Sequence, residues 1–201
     1  MVRSKKKRKK NIDSNDILIK KKIAESVLSY LDNNSWSSLK IYEIIKKAKV
    51  TKTQGINLIK SKKDILFLLN DYFDYKTLSD LKIEEISNQE KIFEILITRF
   101  EIYNEHRKAI KKLSTYILNK PDLVLITFPL LMDSLSSILE FSNISPDGIM
   151  GKIKVEGLFI IFLLTFLVWK KDESRHLNKT MGALDNYLRK AEVIVNMINT
   201  K

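Results

Sequence analysis

Cysteine is absent from the 201 residues, which excludes disulfides and thiolate metal sites and suits a reducing compartment. Histidine occurs twice, at His106 and His176, too few and too far apart for a metal-binding triad. Five glycines and three prolines leave little turn chemistry and include no glycine-rich phosphate loop. Long periodic segments therefore dominate, and an all-helical chain is expected. Asp172, Ser174 and His176 are close in sequence but read as a helix start, because a catalytic Ser/His/Asp set is defined by spatial geometry. A non-enzymatic protein without cofactor or metal is expected. The most apolar run, "LFIIFLLTFLVW" at 158–169, would span about 18 Å as a helix, against the ~30 Å of a hydrocarbon core. Charged residues flank it, so it reads as a helix buried on all sides. No apolar signal segment follows the N-terminus, which points to the cytoplasm.

What is present is positive charge, unevenly placed. The net charge is +12. Residues 1–63 hold 18 Lys/Arg against 5 Asp/Glu, a balance of +13, whereas residues 64–201 hold 18 against 19, a balance of −1. The whole excess therefore sits in the first third, where a polyanion would bind. "MVRSKKKRKK" opens this region as a basic arm over residues 1–14. Such a run is either a solvated tail or a tracker of phosphates, and an anionic membrane surface would attract it equally well.

From Asp16 to Leu31 apolar residues recur every four positions at Ile19, Ile23, Val27 and Leu31, with Ala24 and Leu28 widening the stripe of an amphipathic helix. "DNNSWSS" ends it, with Ser37 or Ser38 as the next N-cap. Ile41, Ile44, Ile45 and Ala48 then form one inner face; Thr51 caps a third helix whose inner face is Ile56 and Ile59. Ser61 and Asp64 start a long connecting helix to about Leu78. Five more helices are expected near 89–105, 107–119, 121–142, 148–170 and 175–199, with a kink at Pro129. In the last, Met181, Leu184, Leu188, Ala191, Val195 and Ile198 form a narrow seam. It suits either a core or a homodimer partner helix, with Leu184, Leu188, Ala191 and Val195 as dimerisation candidates.

This order of elements, with Ile44, Ala48, Val50, Thr51, Ser61 and Lys62 in the turn and around it, resembles the TetR family of bacterial regulators. Lys49 stands where that family's turn glycine is usual and costs roughly 1 kcal/mol if the position is left-handed. Gly55 falls inside the short third helix at up to about 1 kcal/mol, and Ile56 and Ile59 replace an aromatic pair. The resemblance implies a helix-turn-helix DNA-binding domain over 15–63 and a helical ligand-binding and dimerisation domain over 64–201. Double-stranded DNA would be the partner, read by Lys52, Thr53, Gln54 and Asn57, with Ser38, Thr51 and Lys62 on the backbone. A small apolar or lipid-like ligand would meet Phe100, Tyr103, Phe128, Leu131, Phe162 and Phe166, anchored by His106 and Arg107. Trp169, Asp172, Ser174, Thr180 and Leu184 are also similar to the C-terminal half of the lipid-binding coenzyme-Q biosynthesis proteins, which share the fold. That implies an alternative role at a membrane surface without DNA reading.

Overall fold

The computed structural model describes residues 14–79, 81 and 86–199, with side chains described from 16 to 193. Of the basic arm expected over 1–14, residues 1–13 lie outside the described residues, as do the side chains of Val195 and Ile198, while Ser14 begins α1. Nine helices run through what is described: α1 (Ser14–Asn33), α2 (Ile41–Lys47), α3 (Lys52–Leu58), α4 (Lys62–Ser79), α5 (Asn88–Glu105), α6 (Arg107–Leu118), α7 (Pro121–Phe141), α8 (Gly148–Trp169) and α9 (Asn178–Asn199). No strand occurs among the described residues.

The six apolar residues of the α1 stripe are all buried, and α1 packs against α2, α3, α4 and α6. Trp36 and Leu39 fill the loop between α1 and α2. Neither Ser37 nor Ser38 caps α2; Lys40 is the N-cap residue, without a side-chain bond. Ser38 instead closes the preceding turn, donating to the Ser35 carbonyl at 2.9 Å while accepting from the Tyr30 hydroxyl at 3.1 Å. A local turn partner outcompetes the helix for its hydroxyl. Ser61 and Asp64 do form the expected cap on α4, through Asp64 N–H to Ser61 Oγ (3.3 Å) and Ser61 N–H to Asp64 Oδ2 (2.7 Å).

Polar ties join the first three helices to the rest. Lys112 of α6 donates to the carbonyls of Leu31 and Asp32 at 3.1 and 2.7 Å, placing a cation on the C-terminal end of α1. Lys20 of α1 pairs with Asp71 of α4 at 3.0 Å. Behind them α4, α5, α7, α8 and α9 pack as a bundle. α7 continues as one helix through Pro129. It is the one helix among the described residues long and apolar enough to cross a membrane, and it lies packed against α4, α6 and α8.

Arg99 of α5 is 1% exposed, inside this bundle. Its guanidinium pairs with Asp74 of α4 and donates to Thr77 Oγ1 at 3.4 Å. The other Asp74 oxygen accepts from Ser134 of α7 at 2.7 Å and Asn70 at 2.9 Å. A polar network thus joins three helices, each charge matched by a partner as burial requires.

Candidate nucleic-acid interface

Short α3 is held at its N-terminus by a full capping box. Gln54 N–H donates to Thr51 Oγ1 at 3.3 Å, and Gln54 Oε1 accepts from Thr51 N–H at 3.1 Å and from the Thr51 hydroxyl at 2.8 Å. The Gln54 amide oxygen, expected to read bases, therefore fixes the helix start. Thr51 is the cap it was expected to be.

The inner face of α3 differs from the expected pair. Ile59 is buried, but its companion is Gly55; Ile56 faces outward at 41% exposure. The reason is the approach of α2: a Cβ at position 55 would stand 2.6–2.7 Å from three side-chain carbons of buried Ile45. Only glycine lets α3 lie that close. The outward face then carries Lys52, Thr53, Ile56 and Asn57, all exposed. Lys49 precedes it in the left-handed region at φ 53°, the condition under which a lysine there carries a cost. Lys46, Lys49, Lys60 and Lys63 are exposed on the same module. Lys62, expected on a phosphate, donates to the carbonyls of Trp36 and Ser37 at 3.0 and 2.8 Å, locking α4 to the α1–α2 loop.

No family model matches the chain, and no curated protein matches it either. Solved structures do. A TetR transcriptional regulator from Nitrosomonas europaea superposes with a TM-score of 0.70 at 16% identity, covering 87% of this chain and 98% of its own. Another from Rhodococcus sp. RHA1 superposes with a TM-score of 0.60 at 13% identity, with coverage of 87% and 98%. The chain has the TetR fold.

Within that fold, the expected ligand residues fill one another's space. Phe100 stacks on Phe162 (5.4 Å between centroids), and Phe166 stacks on Trp169 (5.2 Å). Tyr103 stands edge-on to Phe73 of α4 at 4.8 Å. Arg107 is engaged as well: it donates to the carbonyls of Trp169 and Asp172 at 2.8 and 2.6 Å, and its guanidinium lies 4.9 Å over the Trp169 ring. His106 is the junction of α5 and α6, half-buried, and burial pulls its imidazole pKa below the ordinary value. Phe128 is exposed and stands edge-on to Phe159 at 5.3 Å, and Leu131 is partly buried one turn on along α7. Open clefts of about 310 and 320 Å³ lie instead along α1 and α4, both lined by Lys20 and Asp71.

The C-terminal seam also turns inward. Leu184 and Leu188 are buried against the chain's own α5 and α8, and Ala191 is partly buried. In their place α8, expected to be enclosed, shows solvent a stripe of Ile149, Ile153, Ile160, Leu164 and Leu167. These residues recur at helical spacing along one face. Glu156 is exposed on the same face, but from 158 to 169 α8 is apolar all round, and that run carried no sign of which face would be left uncovered. The residues resembling the coenzyme-Q biosynthesis proteins take structural roles. Trp169 and Leu184 are core, and buried Asp172 accepts from both the N–H and hydroxyl of Ser174 (2.9 and 2.5 Å) and of Thr180 (2.8 and 2.7 Å). Burial alone would raise the Asp172 pKa; these hydrogen bonds outweigh it and hold the carboxyl well below the usual range.

Proposed function

We propose that this chain is a dimeric DNA-binding repressor of the TetR type, reading an operator with α3. The supporting observation is the outward face of α3, exposed and polar around Ile56, on the one part of the chain that holds the excess positive charge. Lysines supply salt-dependent affinity to phosphate, and Lys52, Thr53 and Asn57 supply base contacts. A two-fold dimer through the bare stripe of α8 would present two such helices to successive major-groove turns, roughly 34–36 Å apart or a multiple of that.

An apolar ligand that tunes operator affinity would enter by parting the Phe100–Phe162 stack. Phe73 and Asp74 place α4 on the same cluster and network, and α4 begins at the lock between Lys62 and the α1–α2 loop. A ligand preferring a shifted α4 would therefore change the setting of the reading helices. The residues that suggested a lipid-binding role at a membrane serve as core and as hydrogen-bond partners at the start of α9, roles that fit either reading.

Selection of duplexes from a random pool tests the proposal. The expected result is a preferred sequence with two-fold symmetry, bound less tightly as salt rises. A wild-type protein with no preferred sequence overturns it. Sedimentation tests the dimer: the pair Ile160→Glu and Leu164→Glu should yield a folded monomer that binds the operator weakly, and a wild type already monomeric at micromolar concentration overturns that part.

A further inference from the structure

We propose that Ile56 is a specificity-determining residue that reads the 5-methyl group of a thymine; this rests on the DNA-reading role above. Three observations combine. Ile56 is exposed at the centre of the outward face of α3, one helical turn from Lys52 and three residues from Thr53. It is driven outward because Gly55, not Ile56, meets Ile45. And Gln54, the residue otherwise suited to adenine, has its amide oxygen held by Thr51. The face that would enter the groove is thus Lys52, Thr53, Ile56 and Asn57, with one branched apolar side chain among polar ones.

The chemistry of the major groove assigns that side chain a target. Base edges there display donors, acceptors and a single kind of apolar group, the thymine methyl. An isoleucine placed against any other edge would desolvate a polar atom without a partner, whereas against thymine it buries methyl on methyl. Asn57 beside it matches the paired acceptor and donor of adenine. The half-site is therefore expected to hold a thymine and an adenine on neighbouring base pairs, and specificity would come from shape-matched apolar contact together with one amide.

The test uses the full chain and the duplex obtained by selection, with each thymine replaced in turn by deoxyuridine, which removes only the methyl. In the wild type, one thymine per half-site should weaken binding by about fourfold on replacement, the worth of one buried methyl group. Ile56→Val should keep that sensitivity, and Ile56→Ala should lose it. Because the side chain is exposed, both variants should melt with the wild type. Specific binding with no sensitive thymine, or sensitivity that survives Ile56→Ala, overturns this inference while leaving the DNA-reading role intact. Absence of any preferred sequence overturns both.

Discussion

The module up to residue 63 and the bundle behind it treat the same residue types in opposite ways. In the module, lysines at 46, 49, 52, 60 and 63 stand in solvent, and an isoleucine is exposed at the centre of the face that carries the proposed function. In the bundle, Arg99 is sealed between helices and Arg107 is held by two carbonyls, while the aromatic residues stack on one another. The difference follows from size. Two of the module's three helices, α2 and α3, are 7 residues each and enclose little volume, so most of their side chains remain at the surface. The six helices behind them enclose enough volume to bury polar groups, provided that each finds a partner. Even in the module, residue type identifies only part of the exposed face, since Ser38, Thr51, Gln54 and Lys62 are engaged in local turns, caps and carbonyl contacts.

Several substitutions sharpen that contrast. The largest effect is expected in the bundle, where Asp74→Ala strands the buried guanidinium of Arg99 and should cost about 3–5 kcal/mol in chemical denaturation. Combining it with Arg99→Met should recover most of the loss; a double variant as unstable as Asp74→Ala alone would show that packing rather than charge sets the cost. In the module, helix propensity says that Gly55→Ala gains up to about 1 kcal/mol. The contact with Ile45 reverses the sign, and a loss of about 1–3 kcal/mol is expected, relieved by Ile45→Ala in the same chain.

Asp172→Asn should cost about 2 kcal/mol near neutral pH, since it weakens a cap with four hydrogen bonds. The folded-state pKa lies below the unfolded one, so this stabilisation is present above the ordinary carboxyl range and is lost as pH falls through the folded pKa. The gap between wild type and variant in urea melts should therefore close in acid. The smallest effect, and the only gain, is Lys49→Gly, which relieves a left-handed lysine and should add about 1 kcal/mol. An unchanged or lowered stability would mean that the lysine side chain makes a compensating contact.

Much of the fold was legible in advance. The α1 stripe, the caps at Thr51 and Ser61 and the helix order depend on residues three or four apart, and that spacing is local. The site was legible only in part. Lys52, Thr53 and Asn57 are exposed as expected, but Gln54 and Lys62 are tied up by Thr51 and by the Trp36 and Ser37 carbonyls, partners whose geometry spacing alone leaves open. Leu184 and Leu188 recur as a dimer seam would, yet an inward core face has the same period.

By itself, then, the sequence determined the helical class, the helix order and the module that carries the positive charge, because periodicity, capping and composition act over a few residues. Which way each face points was decided by tertiary structure. The closeness of α2 to α3 put Gly55 inside and Ile56 outside, and the packing of α9 on α8 buried one apolar face and left another bare. A helix apolar on every side can be laid down in several orientations at similar cost, and only the volume its neighbours fill chooses among them.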